Sequence, residues 1–282
     1  MVAFNNDKIN PIIVNNYEIR LAENSAEVLA CQKLRYEHMI KEYAPDAGDN
    51  NDGVNPTNSD DARAGIDRDK FDDYCAHLIV INHELGDNPD DNIIATYRFM
   101  RAEHKNKIGR WYSDGEFDLS KLKPIENQLL ELGRATVHTN FRNNITMKLL
   151  WQGIANYAQK YDIKYMIGTA SFHSTDINEL KEAMSFVYHY CAMPDEFDCP
   201  AITDDARDMN LMPKDEIDPK KTLLNLPPVI KGYLRVGGCS FGKSAFVDFP
   251  FGCIDIFTFF EFEKASEKYM NHFMGDVGNS DT

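Results

Sequence analysis

Two stretches of this chain read as buried β-strands that nevertheless carry ionised residues. A strand of that kind folds only where opposite charge meets it. Ile93-Ile94-Ala95-Thr96-Tyr97-Arg98-Phe99 is apolar around Arg98, and Leu129-Leu130-Glu131-Leu132-Gly133-Arg134-Ala135-Thr136-Val137 embeds Glu131 and Arg134. An ionised side chain inside an apolar strand costs several kcal/mol unless it is paired. The densest source of counter-charge is Asp67-Arg68-Asp69-Lys70-Phe71-Asp72-Asp73. In an extended segment Asp67 and Asp69 share a face, and Asp72 joins them across a turn. Carboxylates this close repel one another unless cations balance them. Arg35, in an apolar-rich turn of a predicted helix, completes the set. Arg35, Arg98 and Arg134 against Asp67, Asp69, Asp72 and Glu131 make either a structural salt-bridge network or a polar pocket for a zwitterion, and the residues leave both open. Gly133 invites a bulge, which leaves backbone groups available to a ligand.

The organisation around these strands is that of one domain with insertions. Residues 17–22 alternate as a strand. Asn24 and Glu27 make a capping box, opening a helix to about Tyr43. Residues 44–66 are rich in Asp, Asn, Gly and Pro and predict a lid or a disordered loop. Strands follow at His77–Asn82, Asn92–Met100 and Leu129–His138. Thr146–Tyr161 has helical period, Lys164–Ser171 is a strand, and Asp176 with Glu179 is read as the start of a helix to Tyr190. Residues 192–222 read as an irregular insertion. Strands are expected at Val229–Val236, Ser244–Phe249 and Asp255–Phe262, then a short helix, Glu263–Phe273. The order gives an α/β class with a mixed sheet and helices on both faces. The expected layout is an extension at 1–16, one domain at 17–275 and a flexible tail at 276–282.

Charge narrows the functions. The net charge is −15, so most of the surface repels nucleic acid and anionic membrane. Any acidic partner has to meet a local basic patch. The six cysteines form no CxxC pair and the eight histidines show no zinc-ligand spacing, so reduced, buried thiols and no metal are expected. Neither a signal peptide nor a transmembrane run is expected, which points to the cytoplasm.

Several motifs in order carry a resemblance. Leu34-Arg35-Tyr36, Asp67-x-Asp69-x-Phe71-Asp72, His77-Leu78-Ile79-Val80, Thr96-Tyr97-Arg98 and Glu131-Leu132-Gly133-Arg134 resemble the ornithine–acyl carrier protein N-acyltransferases of the GNAT superfamily. Leu149-Leu150-Trp151-Gln152-Gly153, Ala170-Ser171-Phe172 and Leu226-Pro227-Pro228-Val229 extend it over about 17–273. The acyl-homoserine-lactone synthases share the acidic and arginine positions. The first acidic position is usually glutamate in both families; here it is Asp67. The resemblance implies a GNAT-like, mostly antiparallel central sheet. It also implies a bacterial enzyme that moves a (3-hydroxy)acyl chain from acyl carrier protein to the α-amine of an amino acid, with ornithine expected. That is the first step of ornithine-lipid synthesis. The alternatives are a lactone-signal synthase and a non-catalytic GNAT-like binding domain.

Roles follow by that resemblance and by chemistry. Glu131 and Asp72 are the expected catalytic residues, with Glu131 as base because burial raises a carboxyl. Arg98 and Arg134 hold the substrate carboxylate, Arg35 lines the pocket, and Asp67, Asp69 or Asp72 meets the δ-ammonium. Unpaired N–H groups at Gly133–Val137 stabilise the oxyanion. Val137, Arg142, Asn144 and Ser171 bind the donor. Phe141-Arg142-Asn143-Asn144 lacks the Gly-rich turn that wraps a coenzyme A pyrophosphate. A phosphopantetheine-linked donor is therefore expected, with no bound cofactor, and Lys148, Lys160 and Lys164 as a docking patch. Phe251, Phe257, Phe259 and Phe260 are candidates for an acyl slot. Peripheral membrane contact enters only through the lipid product.

Overall fold

The computed structural model describes residues 7–43 and 59–265, in two units. One is built from the described residues up to 109 with 132–163, the other from 110–131 and 164 onward. The expected tail at 276–282, most of the expected 44–66 loop (44–58) and most of the expected last helix (266–273) lie outside the described residues.

In the first unit, β1 (Ile12–Val14) and β2 (Tyr17–Leu21) form a hairpin closed by Asn15 and Asn16, with Asn15 at φ 54°. Asn tolerates that left-handed geometry in two-residue hairpin loops. Residues 12–14, expected to be an extension, are thus a sheet strand. Asn24 caps α1 (Ser25–Arg35) by accepting from Ala26 and Glu27 N–H, and the helix widens into a π-turn at Tyr36–Ile40. Then follow β3 (Ala76–Asn82), β4 (Ile93–Arg101), a short α2 (Ala102–Ile108) that the sequence reading lacked, β5 (Leu129–Val137) and α3 (Asn144–Lys160). Every residue of β3 is buried, because both faces are covered. Ile79 and Ile81 cluster with Val28, Cys31 and Leu34 of α1. On the opposite face α3 comes so close that a Cβ at Gly153 would meet Leu78 at 2.6 Å and Ile19 at 2.9 Å. Only glycine permits that approach. The strand order is β1-β2-β3-β4-β5.

Strand β5 passes between the units: Leu129–Glu131 belong to the second and Leu132–Val137 to the first. In the second unit Leu129–Glu131 pair in parallel with Tyr165–Ile167 of β6 (Tyr165–Phe172). Helix α4 (Lys181–Tyr190), β7 (Ala206–Asp208), α5 (Pro219–Asn225), α6 (Pro228–Val236), β8 (Cys239–Asp248) and β9 (Cys253–Glu261) complete it, in the order β5-β6-β9-β8-β7. All registered pairs other than β5 with β6 are antiparallel. The α/β class with a mostly antiparallel sheet is as expected. Met184 and Val187 of α4 and Ile230 of α6 cluster with Ile254 and Ile256.

Three expectations need correction. Val229–Val236 is helix α6, not a strand. Pro228 at its first turn and Gly237 at φ 79° past its end punctuate a helix. Ile230, Tyr233 and Leu234 then pack on one core at helical spacing, whereas composition alone favours a strand. Second, α4 opens at Lys181, not Asp176. Glu179 accepts from the Ser174 hydroxyl at 2.8 Å and its N–H bonds Asp176 O, which makes a turn instead of a capping box. Third, β8 begins at Cys239, and a register shift between Phe241 and Ala245 breaks the alternation that would reveal it. The last expected helix begins as a 3-10 turn, Phe262–Lys264.

Candidate functional site

The first unit brings six of the expected residues into a closed ring of alternating charge. Arg35 on α1 reaches Asp67 at 2.8 Å and Asp72 at 2.7 Å. Arg98 on β4 reaches Asp72 at 3.0 Å and Asp69 at 2.6 Å. Arg134 on β5 closes the circuit, to Asp69 at 3.5 Å and Asp67 at 3.2 Å. Each arginine meets two aspartates and each aspartate two arginines, so the ring is neutral. Arg35, Asp67, Asp72 and Arg98 are buried. Arg134 enters from a left-handed backbone, φ 56°, an uncommon geometry for a side chain with a Cβ. The irregularity expected at Gly133 thus falls on Arg134.

Burial alone would raise the Asp72 carboxyl. Arg35, then Arg98, outweigh it and hold the group well below the usual range. Asp67 follows the same logic, with burial opposed by Arg134 and Arg35. Gln32 Nε2 donates to Asp72 at 3.2 Å. His77, which the sequence reading passed over as a site residue, lies fully buried with Nε2 at 3.1 Å from Asp72 O. Burial pushes its pKa down to about 4. It sits in an apolar run, Ala76–Val80, so the rule that singled out Arg98 also points to it.

In the same unit three of the four expected donor residues, Val137, Arg142 and Asn144, lie near the start of α3. Arg142 Nε donates to Val137 O at 3.2 Å, and its Nη atoms bond His38 O at 2.8 Å and Glu42 at 2.6 Å. Asn143, not Asn144, caps α3, accepting from Ile145 and Thr146 N–H at 3.0 Å each. The His38 and His138 rings lie 4.2 Å apart. Burial first, then His138, lowers the His38 pKa; burial, then Arg142, lowers that of His138. Nothing in the sequence announces this pair, because the π-turn delivers His38.

The second unit holds Glu131 and Ser171. Glu131 is buried and accepts from three neutral donors: Tyr112 N–H at 2.8 Å, Ser113 N–H at 2.8 Å and the Ser113 hydroxyl at 2.6 Å. Ser171 donates to Asp255 at 2.5 Å. Asp248, Cys253 and Asp255 place ligand atoms within 4.8 Å of one another, the one group among the described residues with the donor set for an ion. Phe257 and Phe259 are fully buried core rings, Phe259 stacked 5.0 Å from Phe197. The described cysteines are all free thiols. Among the described residues no helix is long and apolar enough to cross a membrane.

A mixed, mostly antiparallel sheet with helices on both faces, and a central strand bearing Glu131 and Arg134, defines an acyltransferase of the GNAT class. The family model described as an acetyltransferase (GNAT) domain matches residues 53–152. The chain belongs to the family of L-ornithine N(alpha)-acyltransferases. It is 34% identical over 254 residues to the Rhodobacter capsulatus protein of that name, covering 90% of this chain and 93% of that one. With the Brucella abortus protein the identity is 34%, over 97% of this chain and 94% of the relative. The Rhizobium meliloti protein is 35% identical, over 94% and 86%. The likeness to solved structures is slight: a CoA-dependent acyl-homoserine lactone synthase, BjaI, covers 90% of this chain and 83% of its own at 8% identity, with a TM-score of 0.48.

Proposed function

We propose that the chain transfers a (3-hydroxy)acyl chain from acyl carrier protein to the α-amine of L-ornithine, opening ornithine-lipid synthesis in the cytoplasm, with residues 17–275 as one acyltransferase domain. The observation that carries the substrate is the family membership, which spans nearly the whole chain. The amine nitrogen attacks the thioester carbonyl, the carbon–sulfur bond breaks, and the thiolate takes a proton as the free thiol. The ammonium proton has to leave first, and Glu131 is the acceptor, directly or through water. Asp72, held as an anion between two arginines, fixes the ring instead of exchanging protons.

The ring supplies a zwitterion site by exchange of partners. Its longest link is Arg134 to Asp69 at 3.5 Å, and Asp69 is the least buried of its three aspartates. A substrate carboxylate takes the fork of Arg134 while an ammonium takes Asp69, so that no charge is left unpaired.

The carrier protein as donor is supported by the start of α3. The Ile145 and Thr146 N–H groups, which a pyrophosphate would need, are occupied by the Asn143 side chain. The experiment is a matrix of acyl carrier protein and coenzyme A thioesters against ornithine, lysine, glutamine and leucine, with products read by mass. N-acyl-ornithine from the carrier-protein donor, at a rate that falls as salt rises, is the expected result. Equal rates from both donors remove the carrier-protein assignment, and a lactone product removes the ornithine assignment.

A further inference from the structure

The chain as a whole is acidic, yet one stretch runs against that field. From Pro219 to Val247 it carries Lys220, Lys221, Lys231, Arg235 and Lys243 and no Asp or Glu. The stretch opens with α5 and α6. These turn about Leu226, Pro227 and Pro228, and Lys231 Nζ ties the turn by donating to Leu224 O at 3.0 Å. The inward side is settled: Leu226 and Ile230 are buried, and the Thr222 hydroxyl donates to Glu182 at 2.7 Å.

The outward side is apolar where it should be polar. Leu224 is 75% exposed, and its neighbours Leu223 and Val229 are 40% and 41% exposed. Lys220 and Lys221, also exposed, lie one turn before the leucines. The nearest carboxylate in sequence, Asp218, is engaged as the N-cap of α5, accepting from Lys220 and Lys221 N–H. Adjacent leucines standing out from a turn, ringed by lysines, have the composition of an interfacial anchor. The aliphatic tips enter the boundary of a bilayer while the ammonium groups stay at the headgroups.

We infer that the α5–α6 turn docks the protein on an anionic lipid surface, with Leu223, Leu224 and Val229 inserted and Lys220 and Lys221 at the phosphates. A bilayer accepts protruding aliphatic side chains whatever their arrangement, whereas a folded protein partner needs a complementary hollow for Leu224. The inference rests on the proposed function only for its purpose: an acylated amino acid partitions into lipid, and a docked enzyme releases it there.

The test is sedimentation of the full chain with phosphatidylglycerol vesicles and with phosphatidylcholine vesicles, read as bound fraction without any activity assay. Binding to the anionic vesicles that weakens with salt is expected, and little to the neutral ones. Lys220→Gln with Lys221→Gln lowers the partition coefficient at least about tenfold. Leu223→Ser with Leu224→Ser lowers it by about as much, and the exposure of these four residues leaves the melting temperature unchanged. Equal sedimentation of the variants, or no binding to anionic vesicles, overturns the proposal. So does loss of carrier-protein affinity in the variants with vesicle binding intact, because the turn is then a protein-docking face. Acyl transfer in detergent is expected to be unaffected, so its loss would count against the proposed function and not against docking.

Discussion

Two buried carboxylate sites in this molecule reach stability by opposite means. In the first unit Asp67 and Asp72 stay ionised because arginines surround them, and burial is overcome by charge. In the second, Glu131 is held by two backbone N–H groups and a hydroxyl. A carboxylate locked by charge is a structural element. The difference separates residues whose loss should unfold the protein from one whose loss should silence it.

The largest expected effect falls on the ring. Asp72→Ala leaves Arg35 and Arg98 each short of a partner in a buried site, and should destabilise the fold by about 3–5 kcal/mol. Chemical denaturation measures it. A loss under about 1 kcal/mol would mean that water or rearrangement replaces the lost charge, and the contrast between the two sites would fail.

Acid should act next, through His77. Its folded pKa of about 4 lies below the ordinary 6.5. As pH falls below 6.5 the unfolded chain takes up a proton that the folded one refuses. Stability is therefore full above 6.5, is lost progressively down to about 4, and by then has fallen by roughly 3 kcal/mol from this group. His77→Asn should flatten that window. An unchanged pH dependence in the variant would assign the acid sensitivity elsewhere.

Much of this was legible in the sequence because charge in an apolar strand has few solutions. Arg98, Arg134 and the Asp67–Asp72 cluster announced a network; alternation placed β2, and apolar, strand-like runs placed β3, β4, β5, β6 and β9. The closure of the ring was not legible, since it depends on Arg134 adopting φ 56° beside a glycine that seemed the natural site of irregularity. The donors to Glu131 were hidden for a simpler reason: two are backbone N–H groups, which every residue but proline offers. Helix α6 was misread because Val, Ile and Tyr favour strands until a core at helical spacing decides otherwise.

Smaller effects sharpen the comparison. Asp69 is the least buried aspartate of the ring, so Asp69→Asn, which keeps one oxygen for Arg98, should cost less stability than Asp72→Ala. It should raise KM for ornithine and narrow the preference over glutamine. Discrimination against lysine should be only about 10-fold to 200-fold in the wild type, the range for one methylene. A wild-type preference for a neutral amino acid, unaltered by Asp69→Asn, would make the whole ring structural. Ser113→Ala removes the hydroxyl donor to Glu131 and should cost about 1 kcal/mol of stability, read as a shift in the denaturation midpoint. No shift would show that the hydroxyl contact contributes nothing beyond the two N–H groups.

The central claim is that Glu131, not the ring, accepts the proton during amide formation. The direct measurement is the rate of N-acyl-ornithine formation from acyl carrier protein thioester by wild type and by Glu131→Gln, beside their melting temperatures. The glutamine keeps the size and one acceptor oxygen, for Ser113, while its NH2 takes the place of the oxygen that accepts from Tyr112 N–H. Expected are a melting temperature lowered by no more than about 10 °C and a rate lower by about 100-fold or more. A variant that retains a tenth of the wild-type rate would contradict the claim.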